Sequence, residues 1–385
     1  MFCGRENEIR QIEDHCRTGR HVVIVHASGM GATTLLEEGL LPAWKAQGCI
    51  TISFRDWQGR GVVNEFRDAV ASAVRQQADP DFLLQPESIS EMFERIRQRT
   101  HRPTAMFLDQ FEDYVRCHFG TDLADTFDAE LAHAISSREC RFIIALQDHA
   151  LAGFRRFEQY IPNLLGSRVE LGPVDAAAAK ELVARAAAEK GVVFEPAVVD
   201  ALVSAPAAAY KGGIHPFFVM AGVQRLIDAA GEKKAAETGA GVLQVYGGAD
   251  RLILESFDVK LQPLKPTHAE LFFRWCNLLL SDKDERQAVT SKALTDYSGK
   301  LNRFALSLLP ALTENGILRT VDLPGGTRYE IARDCWAPLI RDWWRRREAA
   351  LIARRRAQFR VRSLSVAAGS IVAIYLVWLF MSWKK

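Results

Sequence analysis

Residues 21–42 read HVVIVHASGMGATTLLEEGLLP. An apolar run, Val22–Val25, enters a turn that carries Gly29 and Gly31, and a helical pattern opens at Thr33–Thr34. A strand that turns through glycine into a helix N-terminus aims successive backbone N–H groups at one point, where the helix dipole also favours negative charge. Such a loop cradles phosphate, and its usual form is G-x-x-x-x-G-K-[ST]. In this chain His26 stands at the first glycine, Gly31 at the second, Ala32 at the lysine and Thr33 at the magnesium-ligating hydroxyl. The cradle is kept and the ammonium that normally meets the phosphates is absent.

Working outward, further apolar runs follow at 50–54 (ITISF), 104–109 (TAMFLD), 141–147 (RFIIALQ) and 168–171 (RVEL), with helical patterns at 5–18, 61–77 and 88–99. Apolar strands that alternate with helices predict a parallel sheet with helices on both faces, an α/β domain over residues 1–172. The third strand ends in FLDQFED, 107–113. Asp109 is placed to supply the carboxylate that holds Mg²⁺ beside Thr33, and Glu112 to polarise an attacking water.

After Pro173 the chain turns helical and alanine-rich, which predicts a helical subdomain over 173–245, with the glycine- and alanine-rich stretch 231–248 as its boundary. Residues 267–337 resemble a winged helix: THAELFFRWCNLLL, then helices through RQAVTSKALTDYSG and LNRFALSLLPALTENG, then ILRTVD and TRYEIA joined by Pro324-Gly325-Gly326. The winged-helix domain is drawn at 246–344. Its third helical segment carries one arginine among many apolar residues, so nucleic acid is not expected as a partner.

The C-terminal end has a different character. Leu364–Trp383, LSVAAGSIVAIYLVWLFMSW, holds no formal charge and as a helix would be about 30 Å long, the thickness of a bilayer core. We expect a transmembrane helix over 363–383, preceded by a basic juxtamembrane helix over 345–362 that lies against anionic lipid. The positive-inside rule then puts the N-terminal body in the cytoplasm. Ser365, Gly369 and Ala373 form a small-residue stripe suited to self-association. The net charge of +2 hides this asymmetry: residues 341–385 hold eleven Lys/Arg and two Asp/Glu, leaving an acidic body.

Seven unclustered cysteines with no C-x-x-C pair point to a reduced compartment, and MFCGRENE, charged from residue 5, does not fit a secretory leader. No His/Cys spacing matches a zinc site, since His21 and His26 would lie about 16 Å apart on opposite strand faces. No Ser-His-Asp or paired-carboxylate arrangement is legible. His215 reads as structural or pocket-lining.

FCGRENEI at 2–9, the loop at 26–34, GLLPAW at 39–44, LDQFED at 108–113, GGIHPFF at 212–218 and YEIARDCWAPLIRDWW at 329–344 together resemble the STAND class of P-loop NTPases. The bacterial novel STAND family, related to NB-ARC and NACHT switch proteins, is the nearest branch. The resemblance implies a site for ATP or ADP with Mg²⁺. Phe2, Gly4 and Arg5 would line the adenine and ribose side, and Pro216 would touch the base. Gly29, Met30, Gly31 and Ala32 would donate backbone N–H groups to the phosphates, with Thr34 beside them. Thr33 and Asp109 would hold the metal. Arg333 stands where the family has a histidine that senses the β-phosphate of ADP.

Three departures follow: Ala32 for lysine, Gln147 for an arginine after the fourth strand, and Arg333 for that histidine. Losing one charge-assisted phosphate contact costs about 1.5–3 kcal/mol, and phosphoryl transfer depends on such charges more than binding does. The expected function is a membrane-anchored, nucleotide-dependent regulatory switch in signalling or defence, with weak or no hydrolysis. It would self-associate and work with a partner protein that supplies the sensor or effector. The alternatives are a catalytically dead membrane scaffold and a membrane-tethered DNA-binding regulator.

Overall fold

The computed structural model describes residues 4–357 except 20, 60, 86, 138, 210–212, 234–236, 239–242, 246, 282–285, 324, 351, 354 and 355. Strands β1 (His21–His26), β2 (Ile50–Phe54), β3 (Thr104–Leu108), β4 (Arg141–Gln147) and β5 (Arg168–Leu171) form one parallel sheet in the order β2-β3-β4-β1-β5. Both faces are covered, which is why the strands read as continuous apolar runs and not as alternating ones. On one face, α1 (Glu6–Thr18) and the helix after the loop pack on Val22, Ile24, Phe107 and Ile143. On the other, α3 (Val62–Gln77), α4 (Ile89–Thr100), α5 (Phe111–Cys117) and α6 (Asp122–Ser136) pack on Val23, Ile52, Met106 and Ile144.

Local chemistry sets the helix ends. Ser88 caps α4 by accepting the Glu91 N–H at 3.3 Å, while the Glu91 carboxylate accepts the Ser88 N–H at 2.8 Å. The helix after the loop, α2, starts at Ala32–Thr34, widens to π geometry over Leu35–Leu40 and regains α geometry over Leu41–Ala46. In the sheet, His26 lies opposite Gln147, so the ends of β1 and β4 deliver their side chains to one place.

Beyond β5 the chain forms α7 (Ala176–Glu189), α8 (Pro196–Ala209), α9 (Pro216–Lys233), α10 (Ala249–Leu261) and α11 (Pro266–Leu279). A short parallel pair joins β6 (Val193–Phe194) to β7 (Glu237–Thr238). Then come β8 (Val289–Thr290), α12 (Ser291–Tyr297), α13 (Ala305–Glu314) and the hairpin of β9 (Leu318–Leu323) with β10 (Gly326–Ile331). These three strands make an antiparallel sheet in the order β8-β10-β9. A final helix covers 337–350. One hydrophobic cluster extends from Val174 to Trp343, so the helices and this small sheet share a core. The stretch expected as a boundary at 231–248 takes in the end of α9 and β7.

The expected span 363–383 and the end of the basic segment lie outside the described residues. Among the described residues no helix is long and apolar enough to cross a membrane. Two arginines of the basic cluster are engaged by the body. Arg346 pairs with Asp258 at 3.0 Å and Asp342 at 2.6 Å, and the Arg347 guanidinium lies 5.6 Å from the Trp343 ring.

Candidate functional site

The loop between β1 and α2 turns on Gly29 (φ +81°) and Gly31 (φ +88°), both in the left-handed region that glycine tolerates. Gly29 is fixed twice over. A Cβ there would come within 2.6 Å of the His215 ring and 2.9 Å of the Phe217 Cβ. A Cβ at Gly31 would meet nothing within 4 Å. The loop thus abuts the start of α9 on one side and stays open on the other. The Leu35 N–H donates to the Gly31 carbonyl at 2.8 Å, which starts α2 under the loop.

A cavity of about 580 Å³ lies in front of this loop. Gly29, Met30, Gly31, Ala32, Thr33 and Thr34 form one wall; Arg5, Pro216 and Arg333 line others. Pro216 is the first residue of α9, where a missing N–H goes unnoticed. Arg333 follows β10 in extended conformation and is exposed. Segments about 300 residues apart in sequence therefore meet around one space. Phe2 lies outside the described residues.

At the floor, the Thr33 hydroxyl donates to Asp109 Oδ2 at 2.8 Å. The Asp109 carbonyl accepts from Trp57 Nε1 at 2.6 Å and its N–H donates to the Phe54 carbonyl at 2.9 Å, so the residue is held from both sides. Burial pushes the Asp109 carboxyl above its ordinary value, against the hydrogen bonds from Thr33 and Gln110. A hydroxyl and a carboxylate are the hard oxygen ligands that Mg²⁺ accepts, with phosphate and water completing its shell. The described residues hold no group of three or more His, Cys, Asp or Glu placed for a metal; such a group is not what a nucleotide-borne magnesium needs.

Glu112 is arranged differently from the sequence expectation. The Gln147 amide donates to its Oε1 at 2.9 Å and the Gln147 N–H to its Oε2 at 3.3 Å. Burial and the neighbouring Asp113 raise its carboxyl to about 7. The residue standing where the family often has an arginine thus grips the acid expected to activate water. His26 is buried and donates from Nδ1 to the Ala27 carbonyl at 3.0 Å, and burial lowers its basicity. His215 packs on the loop as a neutral ring, lowered to about 4 by burial.

The N-terminal segment serves packing more than expected. Gly4 (φ +70°) abuts α7, where a Cβ would overlap the Ala178 Cβ at 2.2 Å. Arg5, buried, donates to the Met30 carbonyl at 3.0 Å and the Gly172 carbonyl at 2.6 Å, and pairs with Glu8 at 2.7 Å. It lines the cavity, but its guanidinium staples the loop to the end of β5.

The model of the family described as Novel STAND NTPase 1 matches residues 1–368. The chain belongs to that family. Among solved structures, the STAND chain is similar to a Walker-type ATPase of Pyrococcus abyssi, at 14% identity over 88% of this chain and 95% of that one, with a TM-score of 0.44. It is also similar to the ORC2 protein of Aeropyrum pernix in ADPNP–ADP complexes, at 14% identity over 89% and 93%, with a TM-score of 0.48. A RuvB variant of Thermotoga maritima gives 15% identity over 88% and 96%, with a TM-score of 0.40. No curated protein matches the chain.

Three features of the STAND site escaped sequence reading. Arg286 and Arg319 line the cavity, and Asp113 binds Arg319 from beneath it. Nothing local marks them, because their partners are distant in sequence: Asp113 and Arg319 are 206 residues apart, and Arg286 meets Glu330 and Asp334 of a later segment. The grip of Gln147 on Glu112 was hidden for the same reason, although both positions stood out individually.

Proposed function

We propose that this protein is a nucleotide-dependent regulatory switch in which ADP or ATP, with Mg²⁺, sits in the cavity in front of the loop and is turned over slowly or not at all. The observation that carries the reading is the convergence on one cavity of the phosphate loop, the Thr33–Asp109 pair, Pro216 and Arg333. Thr33 and Asp109 would hold the metal, which neutralises phosphate charge when bound. Arg333 would return to the phosphates the positive charge missing at Ala32, as a forked guanidinium contact stronger than a neutral hydrogen bond. Because it arrives from the C-terminal half, the nucleotide would tie the two halves together.

The segment from α11 to β10 has the helix, strand, helix, helix and hairpin order of a winged helix, and we read it as one that docks on the nucleotide-binding domain. We assign the apolar segment 363–383 as a membrane anchor on its length and lack of charge. A signalling or defence role, with self-association and a partner that supplies the input or output, follows from kinship with STAND switches. A second reading, a catalytically dead scaffold, is favoured by the same two facts that argue against turnover: Ala32 and the engagement of Glu112 by Gln147.

The experiment is to purify the protein, release any bound nucleotide by heat and identify it, then measure thermal shifts with ADP and ATP, with and without Mg²⁺. Bound ADP or ATP and a shift that grows with ligand concentration support the switch. No bound nucleotide and no shift at millimolar ligand leave the scaffold.

A further inference from the structure

The floor of the cavity is continuous with a charge network that crosses from the nucleotide-binding half to the C-terminal half. Asp113, on α5, is buried and accepts from Arg319 of β9 through both oxygens, at 2.7 and 2.8 Å. Glu330 of β10 is fully buried and accepts from Arg116 of α5 at 2.7 and 2.9 Å, from Arg319 at 2.8 Å and from Arg286 at 3.3 Å. Arg286 in turn pairs with Asp334 at 2.8 Å. Three arginines meet three carboxylates, so the network is neutral as a whole. Burial works against the charge on Glu330, yet the arginines prevail and hold its carboxyl below the ordinary value.

Beside these pairs, Gly29 packs against the start of α9 and Cys335, and the Cys335 N–H donates to the Ser28 hydroxyl at 3.4 Å. Among the described residues, the forked Asp113–Arg319 pair and the Arg116–Glu330 pair are charge-paired bonds across the boundary, and both start on α5, the helix that carries Glu112. Such bidentate pairs fix orientation as well as distance.

We propose that this network is an interdomain latch that holds the C-terminal half on the nucleotide-binding half without any nucleotide. It differs from the Arg333 contact in needing no ligand, and it sets the closed state that a ligand must then keep or release. Removing one partner of a buried pair is far more damaging than its net worth suggests, because it strands a buried charge. A latch of this kind is therefore either fully closed or broken.

Native cysteines allow a direct test on the full-length, nucleotide-free protein. Cys335 is buried where the two halves meet, whereas Cys140 lies in the core on the sheet and Cys276 in the C-terminal core. Alkylation by N-ethylmaleimide, followed residue by residue by mass spectrometry, reads opening at Cys335 and global unfolding at the other two. Asp113→Asn with Arg116→Gln breaks the latch from the nucleotide side and leaves Arg319–Glu330 intact. Arg319→Gln with Glu330→Gln breaks it from the other side, since Arg116 otherwise keeps its bonds to Glu330. The expected result for both is labelling of Cys335 at least tenfold faster, with Cys140 and Cys276 unchanged. An unchanged Cys335 rate in both variants overturns the latch. So does equal acceleration at all three cysteines, which would make the pairs supports of the fold. Since no nucleotide is present, neither outcome bears on whether the cavity binds one.

Discussion

Glu112→Gln should stabilise the protein, and only above mildly acidic pH. The buried carboxyl has its proton affinity raised from 4.5 to about 7 by desolvation and by Asp113. Below pH 4.5 the native and unfolded chains both hold the proton, and Glu112 is neutral to stability. Between 4.5 and 7 the unfolded chain ionises while the native one stays protonated, so stability falls as pH rises. Above 7 the loss is complete, at about 3 kcal/mol from 1.36 kcal/mol for each pH unit between the two values. Glutamine has the shape of the protonated acid and keeps an oxygen for the Gln147 amide; its NH2 cannot accept the 3.3 Å bond from the Gln147 N–H, a loss that is the same at every pH and lowers both figures below equally. The variant should therefore gain less than about 1 kcal/mol over the parent at pH 5 and about 3 kcal/mol at pH 8. For a unit of this size that is a rise of roughly 6–12 °C in Tm at pH 8. Urea unfolding of both proteins side by side from pH 5 to 8 measures it. A stability difference that is flat with pH, or one that grows toward acid, refutes the burial argument.

Ala32→Lys should tighten ATP binding by about tenfold or more, the worth of one charge-assisted phosphate contact; equilibrium dialysis with labelled ATP checks it, and an unchanged affinity means the loop is not a phosphate cradle. Arg333→Ala should weaken ADP by roughly tenfold on the same scale and speed proteolysis at 231–248 in the presence of ADP. Gly29→Ala should destabilise by about 1–3 kcal/mol, because its methyl meets His215 and Phe217 at under 3 Å, and a parent-like Tm would contradict that packing. Deleting 363–385 should move the protein from the membrane pellet to the soluble fraction, while retention through a high-salt wash would show that the anchor lies elsewhere.

The sheet was legible in the sequence almost residue by residue. Strands buried on both faces must be apolar runs, and the five runs at 21–26, 50–54, 104–109, 141–147 and 168–171 lie within one residue of the strands. Helix α4 was drawn at 88–99, and the structure shows Ser88 and Glu91 capping its start. Helices α5 and α6 were not drawn from the sequence, because Asp122, Asp125 and Asp128 blur the apolar period of α6. The loop, Asp109, Pro216 and Arg333 were found because each belongs to a short motif. Arg5 was assigned to the base side, but a buried guanidinium needs acceptors, and it finds them in the Glu8 carboxylate and the Met30 and Gly172 carbonyls. Asp113, Arg286 and Arg319 could not be found by spacing. A charge pair between positions 113 and 319 leaves no periodic trace.

The shared core from Val174 to Trp343 has a consequence for how the site lets go. Pro216 and Arg333 both reach the cavity from elements seated on that core, one at the start of α9 and the other just after β10. Bodies packed through a single hydrophobic cluster turn together, so a rotation that lifts one contact lifts the other. On the reading proposed above, the base and phosphate grips are two fingers of one hand. Occupancy would fall in a single step rather than by partial loosening, and the exit of a ligand would report the position of the whole C-terminal half.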